Sequence, residues 1–346
     1  MNVHPTTRAW PAVSVVMPVL DEEQHLAEAV GRVLEQDYPG ALEVVLALGP
    51  SQDRTNDIAN DLAGRDGRIR LIDNPAGHTP AALNRAIAAS SHDVIVRVDA
   101  HGALSDGYVR RAVEVLLESG AANVGGIMQA VGRTPFEQAV ARAYTSPAGL
   151  GGGRFHVGGE AGPSDSVYLG VFRRDVLDRL GGYDEHFRRA QDWELNHRIR
   201  AAGELVWFVP DLAVTYRPRS TLRALARQFY RTGQWRREVV RLYPDTASAR
   251  YLAAPVTTVA VIGGALAGVI AVIGGPDWLT VGWLAPAGYL LGVMTASGVI
   301  SSGMVWRARA WLPVVLSTMH LSWGVGFLRG VGARVRRERE PTSVPK

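Results

Sequence analysis

Val13-Ser14-Val15-Val16-Met17-Pro18-Val19-Leu20-Asp21-Glu22-Glu23 is the stretch on which the fold turns. Its valine-rich half has the make-up of a buried strand. It runs straight into an acidic turn, and the amphipathic segment 22–36 behind that turn reads as a helix. The same alternation repeats along the chain. Further β-rich runs cover 42–48, 69–72, 94–98 and 124–130, with helix-like segments at 55–63, 80–89 and 106–118 between them. Strand and helix at this spacing predict an α/β fold, with a Rossmann-like, mostly parallel sheet carrying helices on both faces. Such sheets bind ligands beyond the C-terminal ends of their strands. That singles out Leu20-Asp21-Glu22, 49–53, Asp73-Asn74 and Asp99-Ala100-His101.

Past residue 131 the pattern loosens. A Gly-rich stretch, 149–162, reads as a mobile loop. A short strand at 166–172, a helix at 174–180, the turn Gly181-Gly182-Tyr183-Asp184 and a helix from about Asp192 to Ala202 follow. Two strands are expected near 205–209 and 213–216.

Composition refines this picture. The 346 residues are 47% hydrophobic and 20% charged, with a mean hydropathy of +0.02, which excludes a disordered chain. The absence of cysteine excludes disulfides and thiolate chemistry. The small excess of +4 is unevenly divided: residues 1–216 carry 20 basic and 28 acidic side chains, and the remainder nets +12. The basic part is also the greasy part, which points to a membrane surface and away from nucleic acid.

Arg223, Arg227 and Arg231 recur four residues apart, while Leu222, Leu225 and Phe229 take another face. This predicts a basic amphipathic helix in a membrane interface, with a solvated surface helix as the plain alternative. Beyond it lie uncharged runs of 24 residues (252–275), 29 residues (278–306) and 19 residues (310–328), the last carrying His320. About 20 residues cross a hydrocarbon core of ~30 Å. The first two runs predict a transmembrane hairpin. A third crossing would place Arg334, Arg336, Arg337 and Arg339 on the far side, against the positive-inside rule, so this run either crosses or is re-entrant. Met1 to Pro11 lacks the apolar centre of a signal peptide, and the first 250 residues are expected on the cytosolic side. The expected organisation is a catalytic domain over 1–216, the amphipathic region 217–250, membrane helices over 251–330 and a basic tail, 331–346.

Several acids sit where the sheet would place a ligand. Asp99 and His101, at the end of the fourth run, can direct a carboxylate and an imidazole to one divalent cation, which would take the oxygens of a diphosphate. The same triplet also suits a solvated strand end. Asp21 and Asp53 read either as helix N-caps or as nucleotide-binding positions. Asp192, opening a helix after a glycine turn, is either a cap or a general base beside an acceptor.

The order of these motifs resembles family 2 glycosyltransferases of the GT-A fold. Pro18-x-Leu20-Asp21-Glu22, Asp53-x-Thr55 and Asp99-x-His101 match the nucleotide half, and Gly181-Gly182-Tyr183-Asp184-Glu185-x-Phe187 with Gln191-Asp192-Trp193-Glu194-Leu195 matches the acceptor half. The Arg97-Val98-Asp99-Ala100-His101 string, with membrane helices behind the catalytic domain, is similar to the succinoglycan-type branch. The resemblance implies an inverting enzyme that moves a sugar from a nucleotide-sugar donor to a lipid-linked or cell-envelope saccharide at the cytosolic membrane face. It implies that Pro18, Asp21, Glu22, Asp53 and Asp99 bind the donor, that Asp99 and His101 hold Mg²⁺ or Mn²⁺, and that Asp192 is the catalytic base. Gln228, Arg231 and Trp235 loosely echo the Gln-x-x-Arg-Trp motif of processive members, with Arg231 near the leaving diphosphate. Leu48-Gly49-Pro50-Ser51 stands where the family carries Asp-Asp-Gly-Ser, and Tyr216 where a metal-shell His often falls. A polyprenyl-phosphate sugar synthase and an inactive scaffold or sugar-binding subunit remain as other readings. On the leading reading, a chain ending near 216 is expected to keep donor binding and lose transfer to a lipid acceptor.

Overall fold

The computed structural model describes residues 9–332. The basic tail with Arg334, Arg336, Arg337 and Arg339, and most of the segment read for a signal peptide, lie outside the described residues.

The chain opens with β1 (Val13–Val19), α1 (Leu26–Leu34), β2 (Leu42–Leu48), α2 (Thr55–Arg65), β3 (Ile69–Asp73), α3 (Thr79–Ala89) and β4 (Val94–Arg97). It continues through β5 (Ala103–Leu104), α4 (Tyr108–Ser119), β6 (Asn123–Ala130), α5 (Pro135–Tyr144), α6 (Pro147–Leu150), α7 (Arg154–Val157) and β7 (Gly162–Pro163). Then come β8 (Tyr168–Arg173), α8 (Arg174–Leu180), α9 (Gln191–Ala201) and β9 (Val206–Tyr216). Four further helices are α10 (Leu222–Leu242), α11 (Ala249–Val272), α12 (Leu284–Ile300) and α13 (Trp306–Arg329). Residues up to 129 with 158–216 form one compact unit, and 130–157 with the residues from 217 on form another.

In the first unit the strands lie in the order β3-β2-β1-β4-β8-β6-β9-β5, with β7 beside β9. β3, β2, β1 and β4 are parallel, and β8 runs antiparallel to both β4 and β6. The central strands are buried on both faces, which is why they read as continuous valine-rich runs. α1 buries Leu26, Ala29, Val30 and Val33, the stripe its spacing predicts. β1 pairs with β2 from Val13↔Leu42 to Val19↔Leu48 and with β4 from Val13↔Val94 to Val16↔Arg97. This register brings the residues that follow β1, β2 and β4 to one edge of the sheet.

Some expectations change. The two strands expected at 205–209 and 213–216 are one, β9, with Pro210 inside it. Trp207 and Phe208 pair with β7 and Val214 and Thr215 with β5, so the missing amide of Pro210 falls between those two ladders. β6 and β9 touch at the backbone: a Cβ on Gly126 would lie 2.6 Å from the Leu212 carbonyl carbon. The stretch read as a loop at 149–162 carries the short helix α7 and the end of α6. Asp21 caps no helix, because α1 starts five residues later; Asp21 sits instead in a left-handed turn at φ 53°.

In the second unit α10 lies along α13. It buries Leu225, Phe229, Gly233 and Val239, while Arg223, Arg227 and Arg231 are exposed. Leu222 is exposed as well, at the N-terminal end of the apolar face, where the Thr221 hydroxyl caps the helix. Glycines set the crossing distance: a Cβ on Gly233 would fall 2.8 Å from the Phe327 nitrogen, and one on Gly326 3.0 Å from the Tyr230 Cα. α5 starts at a Thr134/Glu137 capping box and buries Phe136, Ala139, Val140, Ala143 and Tyr144. It packs on α13, with the Phe136 and Trp311 rings edge-on at 5.3 Å. For that reason 130–157 belongs with the later helices and not with the 1–216 domain expected from sequence.

Three helical segments of 24 residues, Ala249–Val272, Asp277–Ile300 and Trp306–Arg329, are long and apolar enough to cross a membrane. The second begins as a 3-10 turn, Asp277–Trp283, before α12. The uncharged run 278–306 is therefore broken: Trp306 opens α13 after a turn at 301–305. The third run, left open between crossing and re-entry, is one unbroken helix of ~36 Å at 1.5 Å per residue.

Candidate active site

Arg97, the last residue of β4, organises the site edge of the first unit. On an extended chain residues two apart project to the same side, so Arg97 meets Asp99 directly. Its Nε and Nη2 donate to Asp99 Oδ1 at 3.2 and 3.0 Å. Its Nη1 forms an ion pair with Asp192 Oδ1. The Arg97 side chain is only 2% exposed, against 19% for Asp99 and 26% for Asp192. Burial works against the guanidinium charge, but Asp99 and then Tyr183 outweigh it and hold Arg97 above its ordinary value. Burial likewise works to raise the Asp99 carboxyl; Arg97 and then His101 reverse this and hold it low. Burial, then Asp99 and Tyr216, push the neighbouring Tyr168 phenol well up.

Asp192 arrives from far away in sequence. It is the second residue of α9, where the helix N-terminus favours a carboxylate. Ala190 just before it sits in the left-handed region at φ 62°, a conformation that costs a non-glycine residue about 1–3 kcal/mol. The motif acid Glu194 is structural: it is fully buried, and Arg198 Nε and Nη2 donate to its two oxygens at 2.6 and 2.8 Å. Arg198 also donates to the carbonyls of Leu180 and Gly182, both at 2.8 Å, and so fastens α9 to the glycine turn. From α3, Asn84 Nδ2 donates to the Tyr183 carbonyl and Asn84 Oδ1 accepts from the Tyr183 amide, both at 2.8 Å. Gly182, at φ 68°, leaves the room this needs, since a Cβ there would lie 2.6 Å from Asn84 Oδ1. The Tyr183 ring then lies 5.7 Å from the Arg97 guanidinium carbon.

The β1–α1 loop supplies the opposite wall. Glu22 Oε1 meets His101 Nδ1 at 2.8 Å. The loop is stapled to the start of α2: the Asp21 amide donates to Ser51 Oγ at 3.1 Å, the Gln52 amide to Asp21 Oδ1 at 2.8 Å, and the Glu22 amide to Thr55 Oγ1 at 2.7 Å. Asp53 accepts from the amides of Thr55 and Glu23 at 3.0 and 3.2 Å. The Thr55 hydroxyl holds the Asp53 carboxyl below its usual range.

A cavity of about 220 Å³ opens here, lined among others by Pro18, Glu22, Arg97, Asp99, His101 and Gln191. Pro18, Glu22, Asp99 and His101 thus come together, and Asp192 joins them through Arg97. Asp21 and Asp53 do not line the cavity; their carboxylates bind loop amides. Gln228, Arg231 and Trp235 lie on α10 in the second unit, with Arg231 exposed, Trp235 buried and Gln228 Oε1 accepting from Arg219 Nε at 3.3 Å. Sequence reasoning missed Arg97 and Asn84. A charge inside the run Val94-Ile95-Val96-Arg97-Val98 was the available signal for Arg97, since a buried charge demands partners.

The residues fit a divalent cation. Among the described residues no three His, Asp or Glu form a closed metal cage, and Mg²⁺-type sites built on substrate phosphates need only one or two protein ligands. Arg97 engages only Oδ1 of Asp99. Glu22 against His101 Nδ1 is the carboxylate–histidine pairing that orients a metal-ligating imidazole.

The mostly parallel sheet with its helices is that of a glycosyltransferase of the GT-A fold, and the chain belongs to glycosyl transferase family 2, whose profile matches residues 14–181. It is 31% identical over 318 residues to the Succinoglycan biosynthesis protein ExoA of Rhizobium meliloti (strain 1021), covering 91% of this chain and 93% of that one. It is 23% identical to the dolichyl N-acetyl-alpha-D-glucosaminyl phosphate 3-beta-D-2,3-diacetamido-2,3-dideoxy-beta-D-glucuronosyltransferase of Methanococcus voltae, over 62% of this chain and 70% of that one. Its fold is shared with the mannosyltransferase PcManGT from Pyrobaculum calidifontis, solved in complex with GDP-Man and Mn²⁺. That match has a TM-score of 0.59 at 19% identity and covers 93% of this chain and 88% of that one.

Proposed function

We propose that this enzyme is an inverting transferase that moves a sugar from a nucleotide-sugar donor to a lipid-linked saccharide at the cytosolic face of a membrane. The observation that carries the reading is the convergence of Asp99, Arg97 and Asp192 from three separate segments beside the Glu22–His101 pair. Asp192 is the base. It takes the proton of the acceptor hydroxyl as that oxygen attacks the anomeric carbon and the bond to the diphosphate breaks on the opposite side. Pro18 and Glu22 shape the donor cavity, and Glu22 fixes the His101 ring. Asp99 and His101 hold a divalent cation, which when bound supplies positive charge to the leaving diphosphate. Three carboxylates, Glu22, Asp99 and Asp192, gathered around the one guanidinium of Arg97 leave an excess of negative charge that calls for a cation before a diphosphate enters. The solved mannosyltransferase carries Mn²⁺ with its nucleotide sugar, in agreement with this chemistry.

The apolar helices and the exposed arginines of α10 suit an enzyme whose acceptor is a membrane lipid. The succinoglycan and dolichyl-linked roles named for the two relatives support the same acceptor class. The test is Asp192→Asn, assayed with a panel of UDP- and GDP-sugars, Mn²⁺ or Mg²⁺, and membrane lipid extract. Product should fall by about 10²–10⁴ while donor binding persists. Normal turnover by that variant would remove Asp192 as the base.

A further inference from the structure

We infer that Arg97 is the positioning residue of the transfer, one buried guanidinium that holds the donor-side carboxylate of Asp99 and the acceptor-side carboxylate of Asp192 in a single register. The inference rests on the roles proposed above for the two acids. Its own support is geometric.

Arg97 uses different atoms for its two partners, Nε and Nη2 toward Asp99 and Nη1 toward Asp192. Only a planar fork can do this; an ammonium is a single point of charge on a flexible stem. At 2% exposure the side chain is almost wholly enclosed, so its orientation is fixed by what packs on it. Behind it stands Tyr183, whose backbone is held in both directions by Asn84 and whose turn tolerates nothing larger than glycine at Gly182. Position is therefore passed from α3, through the turn at Tyr183, to Arg97 at the end of β4 and on to both acids. Reacting groups held about 1 Å off lose about 10²-fold in rate, so the side chain that sets the separation of the two carboxylates should show its effect in kcat and not in donor affinity.

The experiment uses the full chain in detergent or nanodiscs, with Arg97→Lys, Asp192→Asn and the double variant. Nucleoside diphosphate release is followed from whichever member of a UDP- and GDP-sugar panel turns over, with membrane lipid extract as acceptor. Mn²⁺-dependent binding of UDP and GDP is measured by calorimetry. Arg97→Lys keeps a cation beside both acids, so nucleotide binding and donor KM should stay within about 3-fold; kcat should fall by about 10²-fold, and the loss it adds to Asp192→Asn should be clearly smaller than its loss in the parent, because the part that acts through the base is already gone. Losses that multiply in the double variant would overturn the inference. So would a kcat within about 3-fold of the parent, or a defect confined to KM. Should Arg97→Lys fail to fold, Asn84→Ala tests the same path without touching either acid. Its kcat should fall by about 3–10-fold at constant KM, and an unchanged kcat would break the path. An active Asp192→Asn would defeat the proposed reaction itself, whereas an inactive Asp192→Asn with multiplying losses defeats only the role of Arg97.

Discussion

The two units of this chain solve opposite problems with the same backbone. In the first, polarity is taken inside and matched. Glu194 binds Arg198, Asn123 Nδ2 donates to Asn196 Oδ1 at 2.7 Å, Asn196 Nδ2 donates to Ser166 Oγ at 3.0 Å, and Ser14 Oγ donates to Glu43 at 2.6 Å. Its large apolar side chains are covered, with Leu20 and Leu205 the exposed ones among the described residues. In the second unit the apolar side chains face outward: Val272, Ile273, Val299 and Trp306 are 73–77% exposed. Apolar surface on that scale suits lipid and not water. The emphasis of the glue differs as well: buried ion pairs and amide networks hold the elements around the site in the first unit, whereas close glycine crossings set α10 on α13 in the second. One fold is built for water on its outside and chemistry within, the other for hydrocarbon on its outside.

The division can be broken most severely by cutting the chain after residue 216. α5 belongs with α13, so such a cut strands Phe136, Val140 and Tyr144 without their cover. The truncated chain should aggregate, which revises the donor-binding fragment expected from sequence. A monomeric, nucleotide-binding product on size-exclusion chromatography would show that α5 needs no such partner. Within the first unit, Glu194→Ala leaves the Arg198 guanidinium without its buried carboxylate and should cost about 3–5 kcal/mol in denaturant unfolding. A loss below about 1 kcal/mol would mean the buried pair is not what holds α9. Within the second, Gly326→Leu drives a side chain into the Tyr230 backbone and should cost about 1–3 kcal/mol, seen as faster hydrogen exchange along α10. Unchanged exchange would show that close approach does not hold α10 on α13.

Acid should also distinguish the units, by a small step at each unit of pH. Burial, then Arg250, holds the His156 imidazole down to about 3, from an ordinary 6.5. The unfolded chain takes up that proton below about pH 6.5 while the folded one does not. The stability His156 contributes is therefore whole above pH ~6.5 and falls by at most about 1.4 kcal/mol per unit as the pH drops toward 3. Asp99, held below its ordinary value, gives up its contribution only below about pH 4. Hydrogen exchange in 135–157 should thus rise with acid before exchange in β4 does, and His156→Phe should abolish the early rise. Simultaneous opening of the two segments would refute the separation.

Much of the architecture was legible because it is periodic. Valine-rich runs alternating with amphipathic stripes marked β1 to β4 and their helices, and long uncharged runs marked the later ones, since burial and lipid each impose their own composition. The acids after β1 and β4 were legible for a related reason: a parallel register carries successive strand ends to one edge. What escaped was short or non-local. β5 is two residues and has no period, Pro210 reads as a break until its ladder partners are known, and α5 looks like part of the first unit until α13 is laid against it.

The sequence by itself determined the α/β class, the apolar helices and Asp99, His101 and Asp192 as candidates, because composition and spacing report what each segment must face. Only the tertiary structure decided which acids share a site. It placed Asp21 and Asp53 on loop amides, Glu22 on His101, and Arg97 between Asp99 and Asp192. A buried charge names the need for a partner but not the partner, and 95 residues of chain separate Arg97 from the carboxylate that answers it.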